Sequence, residues 1–419
     1  MRISVITGGS RGDVQPSAVL AQELAARGHE VKFWAQSSFR NMAGAMGLSF
    51  YPLGGAPPEK VMTELEKYKP RGYWGKIQAI LAPSRMEPER RMDIENACRE
   101  VDGVVLATMS SFGKHAVEAA GLPYVITHVS PLYRTRFLPH PNLPFRPGQT
   151  QIRNYLTHCA FDQIFWRKDR GWVNDWRTRQ LALAPLPRLA INAPEKEHPV
   201  LFGYSPAILP PPPDWPANCE VHGYWLPQSS IDPNPPADLC AFLEKPAIAI
   251  GFGSTIPPHE TFLEEVCASV RSLGLRAVIV QGWNSNVKSD KDIFNVSTID
   301  YRWLFTKVSA VVHTGGSGVS SMAILSGVPS VTVPFGADQR FWAWRLHEIG
   351  IASQPLYYSA WNPDSFTKRL REISQNSSFA LEARKIGEVV RKERGVETAA
   401  DRIEQHFSEY PKSQCNRPR

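Results

Sequence analysis

The 419-residue sequence has only six cysteines, Cys98, Cys159, Cys219, Cys240, Cys267 and Cys415, and no two stand at CxxC spacing. Neither a zinc site nor a disulfide framework is suggested, which points to thiols in a reducing compartment. No apolar run approaches the ~18 residues of a membrane span. Met1-Arg2 passes directly into Ile3-Ser4-Val5-Ile6-Thr7, with no long apolar signal core, so the expectation is a cytoplasmic protein. Charge of one sign is scarce too: Lys+Arg 47 against Asp+Glu 40 leaves +7. That excess suits an anionic small ligand or an anionic membrane surface, and it is too thin to argue for nucleic acid. The chain has no GxxxxGK[ST] loop. The glycines after its first strand are wrongly spaced for GxGxxG, and the second strand ends in Trp34-Ala35-Gln36 with no acid to hold a ribose. P-loop and ordinary dinucleotide sites are therefore excluded.

What is present reads as globular. Apolar residues make up 42% and charged residues 21%, which rules out disorder, collagen and coiled coil for the whole chain. The length suggests two domains, each able to bury a core. Thirty-six prolines predict ordered turns and a stiff linker.

Strand and helix alternate along the chain, the signature of parallel sheets covered on both faces. In the first half, Ile3–Thr7 predicts a strand, Gly8–Asp13 a turn, and Pro16 the start of a helix stopped by Gly28. Glu30–Trp34, Gly103–Ala107 and Tyr124–Thr127 predict further strands, with a helix at His115–Ala120. The stretches from Pro57 to Arg99 and from Pro131 to Trp176 look irregular. Pro227–Ala237 is Pro-rich and predicts the linker. Beyond it, strands are predicted at Ala247–Gly251, Ala277–Gln281, Ala310–Thr314 and Ser330–Phe335, and helices at Glu260–Leu273 and Ser317–Leu325. A polar helical stretch from about Phe379 to Phe407 ends the pattern. The expected domains are 1–227, a linker at 228–239, 240–395, and a tail at 396–419.

Ligands in such sheets bind at the carboxyl ends of strands, beside Gly-rich turns. Four such loops stand out. Gly8–Asp13 carries one carboxylate, Asp13, which reads either as a helix cap or as a general base. His313-Thr314-Gly315-Gly316-Ser317-Gly318 closes a strand and opens a helix, an anion site by its free N–H groups and helix dipole. His313 itself reads equally as a packed core histidine. Gly251-Phe252-Gly253-Ser254 adds N–H groups and a hydroxyl. Gly336-Ala337-Asp338-Gln339 pairs a carboxylate with a carboxamide, suited to sugar hydroxyls or to a solvated turn. The DxD string Asp290-Lys291-Asp292 lies among polar residues and reads as solvated surface, so no metal site is expected.

Taken in order, these strings resemble the GT-B glycosyltransferases, in particular the sterol glucosyltransferase branch and its antibiotic-glycosylating relatives. The resemblance rests on Ser10–Pro16, Phe202–Pro206, Asp214-Trp215, Gly223–Trp225, Gly251–Ser254, Gly282-Trp283, Trp303–Phe305, His313–Gly318, Gly327–Pro329 and Pro334–Trp342. It spans nearly the whole chain. It implies an α/β, GT-B fold: two facing Rossmann-like domains with parallel sheets and a cleft between them. The first would bind the acceptor and the second the nucleotide sugar, with the last helix crossing back to the first. It further implies an inverting, metal-independent hexosyl transfer, with glucose from a UDP-sugar passing to a hydroxyl of a sterol, terpenoid or polyketide-like acceptor. The UDP-sugar is a co-substrate, and no cofactor is expected.

In that reading Asp13 is the base. Ser10, Arg11, Gly12, Gly253, Ser254, Trp283, Trp303, His313, Thr314, Gly315, Gly316, Ser317, Gly318, Asp338 and Gln339 face the donor. Trp74, His128, Tyr133 and Phe137 face the acceptor. Relatives usually carry His-His-Gly-Gly where this chain has His313-Thr314-Gly315-Gly316. Two alternatives stay open: a dTDP-deoxysugar-dependent antibiotic-tailoring enzyme, and a non-catalytic glycosyltransferase-like auxiliary protein. The basic, aromatic stretch Lys67–Arg91 reads either as a solvated helix pair or as a peripheral contact with an anionic membrane. A monomer is expected, because the cleft is complete within one chain.

Overall fold

The computed structural model describes residues 1–55, 86–143, 148–189, 198–227, 235–253, 261–280 and 287–411. The first domain runs β1 (Arg2–Ile6), α1 (Arg11–Ala26), β2 (Glu30–Ala35), α2 (Arg40–Ala45), β3 (Ser49–Pro52), α3 (Pro88–Ala97), β4 (Gly103–Ala107), α4 (Lys114–Ala120), β5 (Tyr124–His128), α5 (Gln151–Arg179), β6 (Val200–Phe202) and β7 (Cys219–Val221). The second runs α6 (Ala237–Phe242), β8 (Ile248–Gly251), α7 (Phe262–Ser272), β9 (Ala277–Val280), β10 (Ile293–Val296), α8 (Tyr301–Phe305), β11 (Val311–His313), α9 (Ser317–Ser326), β12 (Ser330–Thr332), α10 (Gln339–Glu348), α11 (Pro363–Gln375), α12 (Ser377–Val390) and α13 (Gly395–Glu409).

Every described strand pairing is parallel. The first sheet has the order β3-β2-β1-β4-β5-β6-β7 and the second β10-β9-β8-β11-β12. Both reverse direction beside their first strand, between β1 and β4 and between β8 and β11. That reversal opens a crevice at the carboxyl ends of the strands. The central strands are largely apolar because both faces are covered: Ile3, Val5, Ile6, Val104 and Val105 are all essentially inaccessible, and the buried Ser4 hydroxyl donates to the Ala97 carbonyl.

Several expectations need correction. Helix α1 starts at Arg11, with Ser10 as N-cap, and Pro16 lies inside it. The true start signal is Ser10 followed three residues later by Asp13, which outweighs the preference of proline for a first turn. Residues 151–179, expected to be irregular, form the 29-residue helix α5. Its buried face includes Asn154, His158 and Arg177 beside Val173 and Trp176, so no apolar stripe marks it. Tertiary acceptors make this possible: Asn154 donates to the Arg136 carbonyl, and Arg177 reaches Glu118 and the Ala184 carbonyl. Helix α6 begins at Ala237, inside the stretch read as linker. The polar tail forms two helices, α12 and α13, broken at residues 391–394.

Helix α13 lies against the first domain. Arg27, the C-cap of α1, pairs with Asp401 at 2.5 Å and Glu404 at 3.1 Å, and Arg402 pairs with Glu220 at 2.7 Å. Phe407 sits so close to β4 that a Cβ on Gly103 would lie 2.6 Å from its ring.

Candidate active site

The two Gly-rich loops expected to act together do meet. A Cβ on Gly318 would stand 3.8 Å from the Gly12 Cα, so the first turn of α9 faces the first turn of α1. Hydrogen bonds hold this junction. Ser317 Oγ donates to the Val129 carbonyl at 3.0 Å. Ser130 Oγ donates to Asp338 Oδ2 at 2.6 Å and accepts from Trp342 Nε1 at 3.0 Å. Arg345 adds a donor to the Ile208 carbonyl at 2.6 Å, and Tyr204 packs on Trp342 with centroids 5.4 Å apart.

Asp13 is the third residue of α1. Its Oδ2 accepts from the Ser10 N–H at 2.9 Å and the Ser10 hydroxyl at 2.8 Å, so the capping role is real. No donor is bonded to Oδ1 among the described residues. Burial pushes the Asp13 carboxyl up to about 6, with Ser10 opposing and the Asp338 charge adding to the rise. At neutral pH such a group is mostly ionised and is basic enough to take a proton. Gly9, with φ +104°, lets the loop close over it: a Cβ there would lie 2.7 Å from Asp13 Oδ2. Ser10, Arg11 and Gly12 are exposed beside it.

Loop two is built on β11. The register sets His313 beside Gly251 and Thr332, which brings loop two next to Gly253 of loop three. His313 is fully buried, and burial pushes its pKa down to about 3, so it is neutral. Its Nδ1 accepts from the Gly315 N–H at 3.0 Å, which places the ring proton on Nε2. That Nε2 is buried and has no partner among the described residues. Gly315 has φ +82°, and a Cβ there would lie 2.9 Å from the Gln339 carbonyl and 3.0 Å from Ala343. Only glycine fits that approach. Gly316 is the N-cap of α9 and supplies no side-chain cap, so the first N–H groups of the helix stay available for an anion. Thr314 is buried beside them.

Loop four is less free than its residue types suggest. Asp338 is tied to Ser130, and burial pushes its pKa up. Gln339 Oε1 accepts from the Phe335 and Gly336 N–H groups at 2.9 and 3.3 Å, which leaves Nε2 as its outward donor. Trp303, on α8, is half-buried against the cluster holding Leu304 and Val311. On the acceptor side, His128 ends β5 with Nδ1 2.9 Å from the Thr108 hydroxyl, and burial pushes its pKa down to about 4. Tyr133 packs edge-on against Trp215 at 6.1 Å, and Phe137 is 45% exposed. Trp74, Ser254 and Trp283 lie outside the described residues, as does most of Lys67–Arg91.

Asp290 of the DxD string is engaged locally. Its Oδ1 accepts from the Asp292 and Ile293 N–H groups at 2.8 Å each, and its Oδ2 pairs with Arg271 at 2.6 Å. Among the described residues no group of three or more His, Cys, Asp or Glu side chains could hold a metal ion. No helix among them is long and apolar enough to cross a membrane. Ser130 escaped sequence reasoning altogether, because its partner lies 208 residues away and nothing local marks it.

Residues 3–139 match the glycosyltransferase family 28 N-terminal domain. The sterol 3-beta-glucosyltransferase of Aspergillus clavatus is 30% identical over 429 residues, covering 96% of this chain and 29% of that protein. That of Kluyveromyces lactis is 31% identical over 422 residues, covering 96% and 34%. The chain thus spans about a third of the length of the curated relatives it matches. Among solved structures, glycosyltransferase VinC in complex with dTDP superposes with a TM-score of 0.69 at 19% identity, covering 97% of this chain and all of that one. The fold is GT-B.

Proposed function

We propose that this GT-B chain, with its family 28 N-terminal domain, is an inverting glycosyltransferase. It moves a hexose, glucose by its sterol glucosyltransferase relatives, from a UDP-sugar to a hydroxyl of a lipophilic acceptor. The observation that carries this reading is the approach of Gly318 to Gly12. It sets an uncapped helix N-terminus opposite a carboxylate of raised basicity.

The acceptor oxygen attacks C1 of the sugar, and its proton passes to Asp13, whose Oδ1 has no donor bonded to it among the described residues. The bond from C1 to the diphosphate breaks, and the nucleoside diphosphate leaves with the electron pair. The N–H groups at the start of α9 and the neutral Nε2–H of His313 are donors for the developing charge. Asp13 of the first loop thus serves the acceptor, and Ser10, Arg11 and Gly12 beside it, with the second loop, serve the donor, without a metal. Asp338 and the Gln339 Nε2 are the candidate sugar contacts. Thr314 brings a hydroxyl but no charge, so the site relies on fixed dipoles for the diphosphate. The VinC complex with dTDP keeps a second donor in view, a dTDP-sugar on the same fold.

Thermal stabilisation by UDP, UDP-glucose, dTDP and dTDP-glucose, each with and without Mg²⁺, tests the donor. A ligand at about a hundred times its Kd stabilises by about 2.7 kcal/mol. A metal-independent shift with the UDP pair alone is the expected result. A shift with dTDP ligands alone replaces the donor, and no shift with any of the four overturns the transferase reading.

A further inference from the structure

Helices α12 and α13 form a strap across the two domains. α12 is seated on the second: Gly387 lies so close to α9 that a Cβ on it would stand 2.6 Å from the Ile324 carbonyl. α13 is seated on the first, and four histidines meet at that contact. His29 Nε2 stands 2.7 Å from Glu404 Oε1. His222 lies 3.0 Å from the Thr398 hydroxyl through Nδ1 and 3.4 Å from Glu220 through Nε2. Each of these two rings faces a carboxylate that would answer a positive charge.

The other two face each other. His198, just before β6, has its Nδ1 3.2 Å from Nε2 of His406 on α13. His198 is buried, stacked on Tyr124 of β5 at 3.8 Å and on Tyr410 at 5.8 Å. His406 is half-buried and is bonded to the Tyr124 carbonyl. The charges that act on it are Arg402 and Glu409 of its own helix and any charge on His198. Arg402 is in turn paired with Glu220 of β7.

A contact between two ring nitrogens has room for one proton. One nitrogen donates it, and the other accepts with its lone pair. A further proton there sets N–H against N–H and brings two like charges together. Burial pushes His406 down to about 4, with His198 and Arg402 adding to the fall and the Tyr124 carbonyl and Glu409 opposing it. In the unfolded chain the same ring is an ordinary imidazole near 6.5. The unfolded or detached ring thus holds the proton more tightly. The stability from this contact is full above 6.5 and is lost as pH falls through 4.

We propose that the His198–His406 pair is an acid-released latch: acidification frees α13 from the first domain while α12 stays seated on the second. His29 and His222 oppose release, because protonation strengthens their pairing with Glu404 and Glu220. The latch touches neither donor nor acceptor, so it stands or falls apart from the transferase reading.

The test is amide hydrogen exchange of the full chain, without ligand, at pH 7.5 and pH 5.0, corrected for the intrinsic rate at each pH. Residues 377–390 of α12 carry no histidine and are the internal reference. Protection of residues 395–409 relative to that reference is expected to fall about tenfold or more on acidification, as a ring shifted from 6.5 to about 4 requires. His406→Gln cannot take up the proton, and the fall is expected to shrink to about threefold or less. His29→Gln is expected to leave the fall intact or to enlarge it. Unchanged relative protection in the wild-type protein overturns the proposal. So does an equal fall in His406→Gln, or a fall that vanishes in His29→Gln. A ring NMR titration of the wild-type chain serves if His406→Gln does not fold: a His406 midpoint below about 5 is expected, and one at about 6 or above overturns the proposal.

Discussion

Ser130 and Asp338 lie 208 residues apart and share a hydrogen bond of 2.6 Å between the two sheets' loops at the candidate site. The serine follows β5 of the first domain, and the aspartate precedes α10 of the second. The same hydroxyl accepts from Trp342, so one oxygen joins both domains to a buried indole.

Ser130→Ala leaves a buried carboxylate and an indole N–H without their common partner. Hydrogen bonds to charged groups contribute about 1.5–3 kcal/mol. A loss of that order in urea denaturation is expected, together with a weaker thermal response to UDP-glucose than to UDP, because Asp338 is the proposed sugar contact. An unchanged urea midpoint would show that the link carries no stability.

Asp13→Asn keeps the Ser10 bonds available while removing the proposed base. Turnover is expected to drop by roughly 10²- to 10⁴-fold, the usual contribution of a positioned base, with the UDP-induced thermal shift retained. Measured initial rates within threefold of wild type would remove Asp13 from its role.

The pH dependence follows from the same group. As Asp13 has its pKa raised to about 6, kcat/KM is expected to rise with pH through an apparent value near 6, as the carboxylate forms. Its effect on stability has the opposite sense. The folded state holds the Asp13 proton more tightly than the unfolded state, so this contribution is full below pH 4 and is lost as pH rises through 6. Asp13→Asn is therefore expected to gain in Tm relative to wild type at pH 8 but not at pH 4, which paired melting curves would check.

Gly315 combines a left-handed backbone with a neighbour 2.9 Å from any added Cβ. The backbone term alone is about 1–2 kcal/mol for a non-glycine residue. Gly315→Ala is expected to lower stability by more than this and to abolish stabilisation by UDP, since loop two must move off α10.

Phe407 is 7% exposed and packs over Gly103 in β4. Phe407→Ala is expected to cost about 3–5 kcal/mol and to loosen α13 from the first domain. Faster amide exchange in residues 395–409, with β8–β12 unaffected, is the corresponding readout.

The alternation of buried apolar strands with helices, and the glycines after β1 and β11, were legible in the sequence because both are local requirements. A strand covered on both faces is apolar nearly throughout, as Ile3, Val5 and Ile6 are around the buried Ser4, and as Val311-Val312 are. A chain that turns at φ +82° against a neighbouring helix must be glycine there, as Gly315 is. Helix α5 was not legible. Its buried Asn154 and Arg177 take their partners from Arg136, Ala184 and Glu118, so its periodicity has no apolar signature.

By itself, then, the sequence determined two parallel α/β sheets and the residue types of their loops, since burial and backbone conformation act over a few residues. Only the tertiary structure decided which loops face each other, that Ser130 holds Asp338, and that Asp13 both caps α1 and is pushed up to about 6. The reason is physical. A pKa and a hydrogen bond depend on dielectric and distance, and those are set by segments that meet only when the chain has folded.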